Sequence, residues 1–307
     1  MSKEIYVSVI VPVYNEENSV IELISQLNNV LSLSGKQYEI IFIDDGSTDK
    51  TADKIKKIKD ENVKLIQFQR NFGKSVALSC GFSNSLGDII VTMDGDLQDN
   101  PKEIPRFIEE LKKYDMVSGW KFDRIDPLSK KIPSKFFNYL TTILTGIKIH
   151  DFNCGYKAYR QCVIKNINIY GELHRYVPAI AYWKGYTVGE IKVDHRARIH
   201  GKSKYGVERI LKGFLDLITI KFLMSYAERP LHLFGSIGLI LAGFGFIINV
   251  YLFTLWTRGI KIGDRPLLML GILFVILGIQ FISMGLIGEL TTNRRHYDKY
   301  VIRNDNE

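Results

Sequence analysis

Two apolar runs near the C-terminus, Leu231–Trp256 and Leu267–Leu290, constrain this chain more than any other feature. Neither contains Lys or Arg, and their one acidic side chain is Glu289, close to the end of the second. A helix needs ~20 apolar residues to cross ~30 Å of hydrocarbon, and each run is long enough. Core helices of soluble proteins rarely extend this far without a charge, so both runs are expected to span a membrane. Residues 231–290 are read as two transmembrane helices, and 291–307 as a basic cytoplasmic tail carrying Arg294 and Arg295.

The region before the spans has a different character. Its first residues, Met1 to Val13, hold a short apolar strand with no small-residue cleavage site after it, so it does not read as a signal peptide. The N-terminal region is expected in the cytoplasm. Three cysteines, Cys80, Cys154 and Cys162, lack metal-type spacing and imply neither a disulfide framework nor a zinc site. The net charge is +8, and its excess is local: Gly119 to Pro230 contains 20 Lys and Arg against 9 Asp and Glu. A basic stretch running directly into a span fits lipid headgroups or a phosphorylated substrate better than nucleic acid, for which no binding signature appears.

The first 120 residues alternate short apolar runs with helical patterns. Val7–Val13, Glu39–Ile43, Val63–Phe68 and Asp88–Met93 read as strands. Between them lie helical patterns carrying Leu23, Leu27, Val30 and Leu31, then Ile55 and Ile58, then Ser75–Asn84. This alternation predicts βαβ units around a parallel sheet, whose ligands bind beyond the carboxyl ends of the strands. Those ends carry Asp44 and Asp45 after the second strand and Asp94 and Asp96 after the fourth, so four carboxylates are expected along one edge. Tyr186–Val193 is a further predicted strand. From Val207 to Tyr226, Ile210, Leu211, Phe214, Leu217, Ile218 and Leu223 recur at helical spacing, which fits interfacial amphipathic helices or a surface helix packed on the core.

The motif Met93-Asp94-Gly95-Asp96-Leu97-Gln98-Asp99 carries the most specific chemistry. Two aspartates one residue apart at a strand end repel each other, and a hard divalent cation such as Mg²⁺ or Mn²⁺ offsets that repulsion. Such an ion is completed by phosphate oxygens and neutralises a diphosphate leaving group. An ordinary acidic turn has the same spacing. The Asp44-Asp45-Gly46-Ser47 stretch is able to accept hydrogen bonds from a base or ribose, or to serve only as a turn and cap.

Six motifs in order resemble a known family. They are Val11–Glu17, Asp44–Ser47, Arg70-Asn71-Phe72-Gly73-Lys74, Asp94–Asp99, Asp151-Phe152-Asn153-Cys154-Gly155 and Gly201-Lys202-Ser203-Lys204-Tyr205. Over roughly residues 5–230 the chain resembles inverting family 2 glycosyltransferases, and within them the polyprenyl-phosphate group that includes dolichol-phosphate mannosyltransferase and bactoprenol glucosyltransferases. The resemblance implies an α/β fold: a GT-A type, Rossmann-like nucleotide-binding domain over 1–205, with interfacial amphipathic helices at 206–230 before the spans. It also implies the following roles. Pro12, Tyr14 and Glu16 line the nucleotide pocket, with Asp44 or Asp45 on base and ribose and Lys74 in the nucleotide-sugar site. Asp94, Asp96 and Gln98 surround the metal and diphosphate, and Asp151 contacts the donor sugar or reacting centre. Arg198, Ser203 and Lys204 grip phosphates, while Lys121, Arg124, Lys131 and Lys135 receive the lipid phosphate. Where many relatives have Gly-x-Arg, this chain has Gly119-Trp120-Lys121, and Lys lacks the bidentate geometry of Arg.

The implied reaction is transfer of a hexose, UDP-glucose being the first donor to consider, to a polyprenyl phosphate at the inner membrane. GDP-mannose, another UDP-sugar or a non-phosphorylated membrane lipid are alternatives. A processive synthase is disfavoured, because no Gln-x-x-Arg-Trp motif is present. A catalytically inactive membrane scaffold is disfavoured by retention of every acidic residue. The sequence leaves open whether the chain forms a homo-oligomer.

Overall fold

The first strand, β1 (Val7–Val13), is apolar on both faces, a pattern suited only to the middle of a sheet covered on both sides. It pairs in parallel with β2 (Tyr38–Asp44) on one side and β4 (Ile89–Thr92) on the other. β2 in turn pairs in parallel with β3 (Val63–Gln67). The computed structural model describes residues 4–122, 138–194, 196, 208–226 and 229–293, which contacts divide into two units, Met1–Ile220 and Lys221–Glu307.

Helices return the chain between these strands. α1 (Val20–Ser32) buries Val20, Leu23, Ile24, Leu27 and Leu31, the spacing of one helical face. α2 (Thr51–Lys56) and α3 (Lys74–Asn84) follow β2 and β3. After β4 come a 3-10 turn at Pro101–Glu103, α4 (Ile104–Glu110) and β5 (Met116–Lys121). Residues 138–145 form α5, followed by β6 (Lys157–Arg160), α6 (Gln161–Asn166), α7 (Val177–Trp183) and β7 (Val188–Val193).

Among the described residues seven strands run β3-β2-β1-β4-β6-β5-β7: β1 to β4 are parallel, as expected for the first 120 residues, and β6 makes the whole sheet mixed. β6 is antiparallel to both β4 and β5. The cause lies in the preceding loop. Residues 151–155 pass the carboxyl end of β4, where Thr92 Oγ1 donates to the Gly155 carbonyl at 2.9 Å. A strand leaving that edge can only run back toward the opposite one. Four residues, Lys-Ala-Tyr-Arg, are too few to show a strand period in the sequence.

α8 (Glu208–Ser225) is amphipathic where its side chains are described: Leu217 and Ile220 are buried, Leu215 and Ile218 exposed. In the second unit, α9 (Pro230–Thr257) and α10 (Pro266–Asn293) are the two helices long and apolar enough to cross a membrane among the described residues. Most of their surface is not covered by protein, which separates them from core helices of a soluble domain.

Glycines set how closely α9 and α10 approach. A β-carbon at Gly278 would stand 2.6 Å from the Gly238 carbonyl oxygen, and one at Gly245 would stand 2.7 Å from that of Gly271. Backbones in such contact gain dispersion that any larger residue would forfeit. Glu289 of α10 accepts a hydrogen bond from the Leu231 amide at 3.3 Å, so this acidic side chain caps the first turn of α9. Gly278→Leu is therefore expected to destabilise the helix pair by roughly 1–3 kcal/mol through overpacking. Gly243→Leu, which enters open space, should leave it unchanged. Thermal unfolding of the two variants in detergent checks this, and equal melting temperatures would contradict the packing.

Candidate active site

The carboxyl edge of the sheet is organised by backbone hydrogen bonds to side chains. The loops after β1 and β2 lock together: the Asn15 amide donates to Ser47 Oγ at 2.9 Å, and the Thr48 amide donates to Asn15 Oδ1 at 2.8 Å. Asn15 adopts a left-handed backbone, which Asn tolerates better than most residues. Glu16 joins the same junction, its amide donating to Thr51 Oγ1 at 2.9 Å and its carboxylate accepting from Ser19 Oγ at 3.2 Å. Pro12 and Tyr14 flank it, each partly exposed at the end of β1.

Asp44 and Asp45 close β2 and are both buried. Asp44 Oδ1 accepts the Ser47 amide at 3.0 Å, whereas its Oδ2 is buried with no hydrogen-bond partner among the described residues. Asp45 spends both oxygens on the next loop, accepting from the amides of Phe72 at 2.7 Å and Gly73 at 3.0 Å. Gly46 makes this approach possible, since a β-carbon there would meet Arg70 backbone at 2.4 Å. Asp45 thus fixes the segment that opens α3 at Lys74.

The Asp94–Asp99 loop faces that helix start. Lys74 Nζ donates to Asp94 Oδ1. The Asp94 amide donates to Asp99 Oδ2 at 3.1 Å, and Asp99 Oδ1 is paired with Lys121 Nζ at 3.0 Å. Asp96 Oδ1 accepts the Gln98 amide at 3.2 Å across Leu97, whose backbone is left-handed. Gln98 is tied to Arg196 in both directions: its side-chain amide donates to the Arg196 carbonyl at 3.3 Å, and the Arg196 amide donates to the Gln98 carbonyl at 3.0 Å.

Behind Asp94 sits the 151–155 loop. A β-carbon at Gly155 would fall 2.7 Å from Asp94 Oδ1, so only glycine fits against the carboxylate. Asp151 is buried, its amide donating to Glu190 Oε1 at 3.1 Å and its Oδ1 accepting from the Asn153 amide at 3.1 Å. Lys157, at the start of β6, donates to the Cys154 carbonyl and lies within electrostatic reach of Asp94, Asp151 and Lys74.

Burial opposes charge throughout this cluster, and the pairings decide which groups keep it. Burial alone would raise the Asp94 carboxyl, but the Lys74 and Lys121 ammoniums outweigh it and hold Asp94 well below the usual carboxylate range. Lys121 is likewise pulled down by burial and raised past its ordinary value by Asp99. Lys157 goes the other way: burial, with Lys74 nearby, lowers it. Burial also pushes the Cys154 thiol up to about 12, so it stays protonated.

Several expected residues thus come together: Lys74 with Asp94, and Lys121 with the same loop, its charge already matched by Asp99. Arg124, Lys131, Lys135, Arg198, Ser203 and Lys204 lie outside the described residues. Sequence reading passed over Lys157, the buried one of two charges in the short strand Lys-Ala-Tyr-Arg. It also passed over His174, whose Nδ1 lies 2.9 Å from Ser75 Oγ and whose amide donates to that oxygen at 3.2 Å. His174 carried no local signal, because its partner is 99 residues away.

Among the described residues, no group of three or more His, Cys, Asp and Glu side chains is arranged to hold a metal alone. The donors at Asp94 and Asp96 nevertheless suit a hard cation, and an ammonium ion stands against Asp94. Two carboxylates with a diphosphate make a more complete oxygen set than carboxylates alone.

The family model for glycosyl transferase family 2 matches residues 8–167, which contain every element of this edge up to β6. The chain belongs to that family. The glycosyltransferase is 38% identical over 309 residues to a dodecaprenyl-phosphate galacturonate synthase of Rhizobium johnstonii, covering 96% of this chain and 91% of the relative. It is 34% identical over 307 residues to an undecaprenyl-phosphate 4-deoxy-4-formamido-L-arabinose transferase of Edwardsiella ictaluri, covering 97% and 94%. Its fold is that of the GT-A glucosyl-3-phosphoglycerate synthase of Mycobacterium tuberculosis, crystallised with Mn²⁺, UDP and glucosyl-3-phosphoglycerate. That match has a TM-score of 0.55 at 15% identity, over 71% of this chain and 79% of the other. The same enzyme has also been crystallised with Mg²⁺ and UDP, again at a TM-score of 0.55 and 15% identity over 71% and 79%.

Two predictions follow the geometry of this enzyme. Lys121→Met leaves the buried Asp99 carboxylate without its partner and is expected to cost ~3 kcal/mol of folding stability. Chemical unfolding checks this, and unchanged stability would mean that the ion pair is not structural. His174 is held neutral, its pKa pushed well below the ordinary value by burial and by Lys74 and Arg175. Below about pH 6.5 the unfolded chain takes up a proton that the folded one refuses, so stability is full above that pH and falls below it, by up to ~1.4 kcal/mol per pH unit. Melting curves from pH 5 to 7 should show this slope in the native protein and lose it in His174→Asn.

Proposed function

We propose that this protein transfers a sugar from a nucleoside diphosphate sugar to a polyprenyl phosphate at the cytoplasmic face of the inner membrane, with inversion at the anomeric carbon. What carries the reading is the near full-length match, candidate spans included, to two transferases whose names both specify a polyprenyl phosphate. The two named sugars differ, so the acceptor is the shared chemistry. UDP-glucose is the donor that the family resemblance favours, and galacturonate and formamido-arabinose are the groups that these relatives name.

The chain's own residues divide the work. Asp44 Oδ2, buried without a partner, is the oxygen best suited to accept from the base or ribose, while Asp45 holds the Lys74 loop. Pro12, Tyr14 and Glu16 border the same pocket. Asp94 and Asp96, with Gln98 alongside, would hold Mg²⁺ or Mn²⁺, which when bound neutralises the departing diphosphate. Asp151 contacts the sugar or reacting centre. A phosphate monoester is largely ionised near pH 7, so the acceptor oxygen attacks without a strong base. Its bond to the anomeric carbon forms as the bond from that carbon to the diphosphate breaks.

The acceptor's charge has to be met by cations, and the basic stretch from Gly119 to Pro230 supplies them. Arg124, Lys131, Lys135, Arg198, Ser203 and Lys204 are its proposed phosphate contacts. The amphipathic α8 and two crossings by α9 and α10 anchor the catalytic region to the surface on which the acceptor diffuses, reducing the search to two dimensions.

The test is incubation of purified enzyme and undecaprenyl phosphate with UDP-linked glucose, galacturonate or formamido-arabinose, or with GDP-mannose, in Mg²⁺ or Mn²⁺. Mass detection of one glycosylated lipid phosphate is expected. Asp94→Ala should lower its formation by roughly 10²–10³-fold, as loss of transition-state charge stabilisation does elsewhere. Product at near-normal rate from that variant would remove Asp94 from the mechanism.

A further inference from the structure

Among the described residues three ammonium groups act on Asp94, and they are not equivalent. Lys121 is held by Asp99, and Lys157 by the Cys154 carbonyl. Lys74 makes its hydrogen bond to Asp94 itself. The Lys74 side chain is 32% exposed and that of Asp94 31%, so the pair is open to solvent, whereas Lys121 and Asp99 are at 10% and 0%.

The residues on either side of Lys74 are tied to other loops. Asp45 accepts the Phe72 and Gly73 amides just before it, and Ser75 just after it is bound to His174. Asp94 is held as well, by Asp99 at its amide and by Gly155 packed against its carboxylate. The remaining freedom at this contact belongs to the long Lys74 side chain.

We propose that Lys74 is a resident counter-ion and positioning residue. Its ammonium occupies the cation position at Asp94 in the empty enzyme, and transfers to a diphosphate oxygen when a nucleotide arrives with its metal. The proposal rests on the reading of Asp94 and Asp96 as metal ligands. The physical argument is one of exclusion and exchange. An ammonium and a divalent cation repel, so each weakens the other's hold on the Asp94 carboxylate. A metal arriving alone has to displace Lys74 into solvent without a new partner. A metal arriving with a diphosphate offers Lys74 anionic oxygens in place of the one it gives up. Metal and nucleotide are thereby coupled, and linkage makes the coupling reciprocal. The site is kept from filling with metal before the donor is present.

The test is Mn²⁺ binding, followed by electron paramagnetic resonance, to the full chain in detergent with and without UDP. Lys74→Met removes the charge at similar volume, and Lys74→Gln serves if that variant fails to fold. Either is expected to bind Mn²⁺ without UDP at least ~10-fold more tightly than the native enzyme, because the competitor is gone. UDP in the presence of Mn²⁺ should bind more weakly to the same variants, because the diphosphate has lost a cation. Lys74→Arg, which keeps the charge, should resemble the native enzyme in Mn²⁺ binding alone. Equal or weaker Mn²⁺ binding by the neutral variants without UDP overturns the counter-ion role and leaves the metal site standing. Failure of native enzyme and variants alike to bind Mn²⁺ even with saturating UDP overturns the metal site, and the proposal with it.

Discussion

Asp94 and Asp99 are five residues apart on one loop, and the rest of the catalytic unit is arranged around matching their charges, Asp99 away from bulk water and Asp94 at its edge. Desolvating a carboxylate is expensive unless a partner sits within hydrogen-bond distance. The partners come from different parts of the chain. Lys74 begins α3, and Lys121 ends β5. Lys157, at the start of β6, adds positive charge nearby while holding the 151–155 loop. That convergence requires β6 to lie beside β4 and β5 beside β6, which is what the strand order provides. The loop and the sheet order are therefore one constraint seen from two sides.

A consequence is that the acidic edge is stiff where it matters. Asp45, the Asn15–Thr48 contact and the Ser75–His174 contact each tie one loop to its neighbour. The left-handed backbone at Leu97 is held within a turn bounded by Asp96 and Gln98. Strained backbone of this kind persists only where the surroundings over-determine it.

The parts legible in the sequence were those with local signals. Val7–Val13 and Glu39–Ile43 are read from their short apolar runs, α1 from its repeat of Leu and Val, and α9 and α10 from length without Lys or Arg. The Asp44-Asp45 and Asp94–Asp96 positions followed from strand ends. What could not be read depended on distant partners. β6 has no periodicity to recognise, and its direction was set by where the preceding loop begins. Asp44 and Asp45 look equivalent in sequence, yet one spends both oxygens on the Phe72 and Gly73 amides while the other keeps one without a partner. Lys121 reads as one more cation of a basic stretch, until Asp99 is seen beside it.

The cap that Glu289 places on α9 makes the two candidate spans depend on each other. The amide at the beginning of the first helix finds its acceptor near the end of the second, 58 residues later in the chain. In hydrocarbon a polar group without a partner is costly, and the glycine faces of α9 would likewise have nothing to pack on. Taken alone the first helix is thus an incomplete object, and its partner supplies both its cap and the surface on which its glycines pack.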